Sequence, residues 1–128
     1  MKILGVDYGL KHIGLAIGDS ELKIAMPAGE LDNDKNDSVI KEIIDFVNAN
    51  GAQEIVIGRP LSLENKVTEQ TELTDEFIEK LKKSFPRKKI HIFDERLTSQ
   101  LAERLDASGD HIHASAAAVI LDDFFSRS

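Results

Sequence analysis

The sequence predicts an α/β protein in which a mixed five-stranded sheet is flanked by helices. Three short apolar runs come first, separated by brief turns, which is typical of an antiparallel meander. Helix-like and strand-like segments then alternate, which is the pattern of parallel strands with crossover helices. Because 128 residues suffice for one hydrophobic core, we expect a single domain over 1–128.

The first three strands are predicted from runs of apolar residues that end at polar residues or glycine. Residues 2–9, KILGVDYG, and 12–19, HIGLAIGD, have this pattern and are joined by a short turn. Residues 23–31, KIAMPAGEL, predict the third strand. Pro27 lacks a backbone N–H, so this strand is expected at the sheet edge, or Pro27 near its end.

A helix and a buried strand are predicted next. Residues 32–51 carry apolar side chains at helical spacing, with Asp37 or Ser38 as the N-cap and Gly51 as the stop. Residues 54–60, EIVIGRP, form the short apolar run that is typical of a strand buried on both faces.

The second half of the chain continues the alternation. An amphipathic helix is predicted over 68–85, and KIHIFDER at 89–96 predicts the fifth strand. A helix over 98–109 would begin at Thr98 as its N-cap, and the last helix is predicted over 113–125.

Composition excludes several classes of protein. There is no cysteine, so disulfides and thiolate metal sites are excluded, as in many cytoplasmic proteins. No apolar run approaches the roughly 20 residues of a membrane span, and the first residues do not resemble a signal peptide. The net charge of −7 argues against a protein that coats nucleic acid without specificity.

One basic segment stands out on this acidic chain. KKSFPRKK at 82–89 contains five cations and no acid. It is either a solvated helix end with its turn or a local surface that faces phosphate.

Acids at strand ends are the features that indicate chemistry. Asp7 ends the first strand, and Asp94 and Glu95 end the apolar run IHIF. If these strands are neighbours, Asp7 meets one of the other two, because side chains alternate between faces. Two adjacent carboxylates favour a hard cation such as Mg²⁺ or Mn²⁺. The alternative is that these aspartates only cap a turn and a helix.

Four segments together resemble the YqgF/RuvX family of RNase H-like proteins, which includes Holliday junction resolvases and pre-16S rRNA nucleases. The match runs nearly from end to end and keeps the order of the motifs. The segments are GVDYGLKHIGLAIGD, IVIGRPLSLENKVTEQTE with Gln70, FDERLTSQLAE, and ASAAAVILDDFF.

The resemblance implies an RNase H-like fold and a metal-dependent nuclease. Asp7 and Glu95 would hold Mg²⁺ or Mn²⁺, and water would attack a phosphodiester bond. The expected function is processing of the pre-16S rRNA 5′ end, with Holliday junction resolution as the alternative. Expected partners are structured RNA or branched DNA, together with ribosomal precursor particles. The expected state is a cytoplasmic monomer or homodimer.

The chain departs from the family pattern at the third acid. That acid precedes the alanine-rich last helix, and the residue here is His113. Mg²⁺ prefers oxygen, whereas imidazole binds Mn²⁺ acceptably. Asp110 lies three residues upstream and would supply the oxygen if the helix began at or before it, with His113 as general base or second ligand. Alternatively, either residue only caps the helix.

Residues expected to contact nucleic acid are Lys11, His12, Arg59 and Arg96. The first hairpin has Lys11-His12 where the family has Lys-Arg, which removes positive charge. Arg96, which follows Glu95, would contact phosphate or stabilise the turn.

Two other functions are open. A degraded metal site would leave a non-catalytic protein that binds nucleic acid or assists ribosome assembly. An ATP-binding fold of the actin or sugar-kinase type is disfavoured, because 128 residues leave no room for the second lobe.

Overall fold

A computed structural model of the chain describes residues 1–34, 37–62, 64–96 and 112–127, with the backbone alone at 37, 95, 96, 112 and 113. The helix predicted over 98–109 lies outside these ranges. Strands and helices follow the predicted order within a residue or two at most ends. They are β1 (Lys2–Tyr8), β2 (His12–Asp19), β3 (Ile24–Asp32), α1 (Asp37–Asn50), β4 (Glu54–Leu61), α2 (Glu69–Ser84), β5 (Lys89–Arg96) and α3 (Ile112–Arg127).

The five strands form one mixed sheet in the order β3-β2-β1-β4-β5. Strands β1, β2 and β3 pair antiparallel, and β4 pairs parallel with both β1 and β5. The predicted meander and parallel half are therefore confirmed. Pro27 lies in β3, which is an edge strand, as its missing N–H required.

Helices α1 and α2 cover one face of the sheet, which we call the α1/α2 face. Alternate residues of the inner strands point into this core, and the helices contribute the apolar rows that their periodicity predicts. Its largest fully buried members include Leu4, Val6, Ile13, Leu15, Ile43, Ile55, Ile57 and Leu81.

Helix α3 covers the opposite face, called the α3 face, and lies directly on glycines of three strands. A Cβ atom added at Gly5 would stand 2.6 Å from Cγ of Leu121, and one at Gly18 would stand 2.9 Å from the Phe125 ring. Glycine in a strand interior costs stability, so its presence here reflects the close approach of the helix. The third glycine is Gly58 in β4, which faces Ile120.

The N-terminal turn of α2 is tied to the end of β4. Thr68 is the N-cap: its hydroxyl accepts from the Thr71 N–H at 3.3 Å, and the Thr71 hydroxyl accepts from the Thr68 N–H at 3.0 Å. The Thr71 hydroxyl also donates to the carbonyl of Pro60. This capping arrangement places Gln70 beside the carboxyl ends of the central strands.

In the described ranges, no helix combines the length and apolar character that a membrane crossing requires. Helix α1 begins at Asp37, so both predicted N-cap residues, Asp37 and Ser38, lie inside the helix and not before it. The Ser38 hydroxyl donates to the Asp34 carboxylate at 2.9 Å.

The glycine contacts predict a graded response to alanine. Gly5→Ala should lower the free energy of unfolding by about 2 kcal/mol, because Cγ of Leu121 moves only if the whole buried side chain changes rotamer, and the Ala117 carbonyl, 3.0 Å away, belongs to the helix backbone. Gly58→Ala should cost less, because its nearest neighbour, at 2.5 Å, is the terminal methyl of Ile120. Urea unfolding of both variants measures the difference.

A second substitution serves as the control. Ile120→Val removes the methyl group that an alanine at position 58 would meet, so it should recover most of the stability lost in Gly58→Ala. It should not rescue Gly5→Ala. Equal losses in the two alanine variants, or rescue of both, would contradict the assignment of these glycines to the helix contact.

Candidate active site at the carboxyl ends of the strands

Asp7 lies at the carboxyl end of β1 and is half-buried. Strand alternation puts it in the same row as Gly5, which faces α3, so Asp7 belongs to the α3 face. Partial burial disfavours a lone charge, and therefore this position favours a carboxylate that is compensated by donors or a cation.

Two side-chain amides hold the chain immediately after Asp7. Nε2 of Gln70 donates to the Tyr8 carbonyl at 3.1 Å, and Nδ2 of Asn33 donates to the Gly9 carbonyl at 2.8 Å. The Tyr8 ring packs edge-on against Phe77 of α2, with 4.6 Å between ring centroids. The backbone that carries Asp7 is thus anchored by α2 and by the segment after β3.

Gln70 is expected from the sequence only as part of a family motif, and no sequence pattern points to Asn33. Asn33 sits between two aspartates in a short loop. Its partner, the Gly9 carbonyl, is 24 residues away. No local pattern identifies such a contact, because it depends on the pairing of β3 with β2.

The sheet order corrects one premise of the sequence analysis. Strands β1 and β5 are not neighbours, since β4 lies between them. Two inter-strand spacings, about 9.6 Å, therefore separate the strand of Asp7 from that of Glu95. The two acidic strand ends lie at the same edge of the sheet without being adjacent.

The register distinguishes Asp94 from Glu95. Gly58 pairs with Phe93, Arg59 with Asp94 and Pro60 with Glu95. Gly58 faces α3, so its partner Phe93 and, two residues on, position 95 belong to the α3 face, as Asp7 does. Asp94 lies on the opposite face. The backbone therefore selects position 95 as the one that shares a face with Asp7.

Arg59 occupies the α1/α2 face beside Asp94. Its guanidinium forms a bidentate pair with Asp75 of α2, at 2.8 and 3.1 Å, and Nη1 lies 3.6 Å from Asp94. Hydrogen bonding to Arg59 lowers the pKa of Asp75, and the same bonds raise the pKa of Arg59. This residue, expected to contact nucleic acid, connects β4, α2 and β5.

Helix α3 runs antiparallel to β1, so its first turn lies at the end of the sheet where Asp7 lies. Phe125 stands over Gly18, which pairs with Ile3, and Leu121 stands over Gly5. Four residues of helix, about 6 Å, thus match two residues of strand, about 6.6 Å, so the helix continues from Leu121 past the level of Asp7 toward its first turn.

Of the other predicted site residues, all but Asp110 lie in the described part of the chain. The backbone of His113 is in the first turn of α3, and Arg96 ends β5, whereas Asp110 lies outside the described residues. Lys11 and His12 are exposed in and after the turn that follows β1, and Nδ1 of His12 is 3.4 Å from Asp32.

The donor chemistry of this edge fits a hard divalent ion. Asp7 is a carboxylate donor, and the backbone position in register on the same face, 95, is a glutamate in the sequence. No group of three or more potential metal ligands is seen among the described residues. The predicted set Asp7, Glu95, Asp110 and His113 extends beyond the described side chains, so it stays a prediction.

Comparison with known proteins identifies relatives along the whole chain. A family model described as "RuvX: Holliday junction resolvase" matches residues 1–127. A protein of Sulfurihydrogenibium sp. named "Putative pre-16S rRNA nuclease" is 42% identical over 104 residues, 80% of this chain and 70% of that protein. A protein of Maridesulfovibrio salexigens with the same name is 32% identical over 136 residues, which cover 100% of both chains.

Two solved structures with the same fold are resolvases. Thermus thermophilus RuvC in complex with a Holliday junction substrate has a TM-score of 0.58 at 13% identity and covers 99% of this chain and 95% of that one. Fowlpox virus resolvase with Holliday junction DNA has a TM-score of 0.63 at 11% identity, covering 99% and 98%. These matches confirm the predicted RNase H-like fold class.

The Arg59–Asp75 pair predicts a pH-dependent stability. The folded state lowers the pKa of Asp75, so its contribution is present above the unfolded value of about 4 and is lost as the pH falls through the folded value. Asp75→Asn should cost about 1 kcal/mol at neutral pH, a modest figure because the Asp75 side chain is 43% exposed. Urea unfolding over a pH series measures this difference.

The matched control is Asp45→Asn, which removes one exposed carboxylate from α1. It should leave the stability of the protein nearly unchanged at neutral pH. A loss in Asp75→Asn that stays constant down to strongly acidic pH would contradict the ion pair as its source.

Proposed function

Because the chain belongs to the RuvX family of Holliday junction resolvases, we propose that it is a divalent-metal-dependent nuclease, and that its substrate is pre-16S rRNA. The observation that carries the proposal is the shared face of Asp7 and position 95 at the carboxyl ends of the strands. The relatives at 32 to 42% identity are named for pre-16S rRNA, which favours RNA as substrate.

The metal assignment rests on Asp7 and Glu95, with Asp110 and His113 completing the set. A bound Mg²⁺ or Mn²⁺ ion would supply an activated water and neutralise charge on the phosphodiester. Asp7 provides a fixed anionic position, because Gln70 and Asn33 hold the backbone on its carboxyl side. Such preorganisation reduces the reorganisation that the reaction requires.

The chain's own residues position the second carboxylate as well. Asp94, paired with Arg59, ties the end of β5 to β4, and Arg59 in turn is held by Asp75. This contact fixes the strand on which Glu95 lies. We therefore assign Arg59 a positioning role, and we assign Lys11, His12 and Arg96 to phosphate contacts near the cleaved bond.

Holliday junction resolution is the second candidate, supported by the family description. Symmetric cleavage of a four-way junction requires two copies of the site related by a two-fold axis. Cleavage of one RNA strand requires a single site, so the RNA assignment needs no dimer.

We further propose one domain over 1–128 that acts in the cytoplasm on ribosomal precursor particles.

The adjacent acids of β5 offer a matched pair of variants. Asp7→Asn and Glu95→Gln should each slow Mn²⁺-dependent RNA cleavage at least about a hundredfold, since a metal contributes several kcal/mol to the transition state. Asp94→Asn, one residue away on the other face, should cost much less activity than Glu95→Gln, because it weakens only the 3.6 Å contact with Arg59 and leaves both proposed metal-binding carboxylates in place. Cleavage of a labelled RNA oligonucleotide under single-turnover conditions gives the rates.

Activity that survives Asp7→Asn, or cleavage that needs no metal, would refute the proposed nuclease. Equal losses in Glu95→Gln and Asp94→Asn would refute the assignment of faces. Circular dichroism on each variant verifies that the fold is retained.

His113 leads to a separate prediction about the metal. His113→Asp should increase binding of Mg²⁺ relative to Mn²⁺, because it replaces an imidazole with the oxygen ligand that Mg²⁺ prefers. Asp110→Asn should weaken binding of both ions if Asp110 supplies the missing oxygen. Isothermal titration calorimetry with each ion measures the affinities. Absence of metal binding at millimolar concentration in the native protein would favour the non-catalytic alternative.

A further inference from the structure

A groove between α1 and α2 is rimmed by lysines and lies away from the acidic strand ends. Its volume is about 370 Å³. Half of its lining residues are lysines, none is acidic, and two isoleucines form an apolar floor. We call this surface the lysine groove; it is lined by Ile40, Lys41, Ile44, Lys80, Lys83 and Ser84.

The groove belongs to the most basic region of an acidic protein. Residues 80–89 hold six of the chain's 16 lysines and arginines, although the net charge is −7. Two of these cations serve the fold: Lys82 pairs with Glu79 at 3.7 Å, and Nζ of Lys88 donates to the Ala52 carbonyl at 2.9 Å.

The lysines of the groove have a different environment. Within the described part of the chain, no ion pair involves Lys41, Lys80 or Lys83. Lys80 and Lys83 are three residues apart on α2, so they share one side of that helix and face Lys41 of α1 across the groove. Like charges repel in this arrangement, and a bound polyanion would relieve that repulsion.

The lysine groove continues toward the candidate active site. A second hollow of about 180 Å³ shares Ile40 and Lys80 with it and reaches Tyr8 and Asn33, on the α1/α2 face at the end of the sheet where Asp7 lies on the other face. Glu76 also lines this second hollow, so only the far part of the path is lined by lysines without a carboxylate. A chain that passes from the α3 face around the carboxyl ends of the strands and along this path arrives at the lysines.

We propose that the lysine groove binds the phosphodiester backbone of the substrate at a distance from the cleaved bond. This inference rests on the proposed nuclease function. Lysine is a point charge without the planar fork of arginine, so the contact is independent of sequence. The apolar floor of Ile40 and Ile44 accommodates ribose and base faces. A local cationic surface also explains how a chain of net charge −7 retains a polyanion.

The test compares two triple variants with the same loss of charge. The groove variant carries Lys41→Gln, Lys80→Gln and Lys83→Gln, all at exposed positions. The control variant carries the same change at three exposed lysines outside the groove, namely Lys2, Lys23 and Lys66. Both are made on an Asp7→Asn background, and binding of a single-stranded RNA oligonucleotide is measured by fluorescence anisotropy over a salt series.

The groove variant should lose affinity and salt dependence together. Each lost phosphate contact reduces the slope of log K against log salt by about 0.7 for a single strand, so three contacts reduce it by about 2. The same change lowers affinity about a hundredfold near 0.1 M salt. The control variant should keep a slope closer to that of the parent. Equal slopes and affinities in the two variants would overturn the proposal.

A second measurement uses the protein without groove substitutions. RNA should protect Lys41, Lys80 and Lys83 from reductive methylation, detected by mass spectrometry, more than it protects Lys2 or Lys23. Absence of such protection would overturn the proposal. If a poly-glutamate peptide loses affinity for the groove variant while RNA does not, the surface serves an acidic polypeptide and the RNA assignment falls.

Cleavage is measured separately, on proteins that retain Asp7. If the native protein does not cut RNA with Mn²⁺ while the groove variant still loses RNA binding, the nuclease function fails and the binding surface stands. If the native protein cuts RNA and the two variants bind alike, only the lysine groove is refuted.

Discussion

The close contact of α3 with three strand glycines is the constraint on which the α3 face of this protein depends. Because Gly5, Gly18 and Gly58 carry no Cβ, the helix backbone approaches the sheet more closely than larger side chains would permit. This contact sets the level of the helix along β1, and therefore the level of its first turn relative to Asp7. The position of the polar groups at the edge of that face therefore depends on apolar contacts several residues away.

The α1/α2 face fixes the strand ends by polar contacts instead. The N-terminal part of α2 supplies Thr71 to the Pro60 carbonyl, Gln70 to the Tyr8 carbonyl and Asp75 to Arg59. One stretch of helix thereby holds the ends of β1 and β4, and through Arg59 it also holds β5. Carboxylates at these ends are thus set on a backbone that is braced from the side opposite to α3, which suits a site where geometry matters.

Charge is distributed unevenly over the molecule, and this distribution accounts for how an acidic chain can act on a polyanion. Cations cluster at the C-terminal end of α2, whereas carboxylates lie at the strand ends, where a divalent ion would offset them. At net charge −7 the long-range force between the protein and a polyanion is repulsive, so binding depends on short-range contacts at defined surfaces.

The strands and helices could be predicted from the sequence, because apolar periodicity and the residues that end helices and strands are local signals. The bounds of β2 and β5 and the acidic strand ends were predicted correctly, and the edge position of the strand with Pro27 was one of two predicted alternatives. Three features emerge only in the folded protein: β4 separates β1 from β5, position 95 and not Asp94 shares a face with Asp7, and Asn33 anchors Gly9. Strand order and register are set by packing between segments distant in sequence, and no local pattern encodes them.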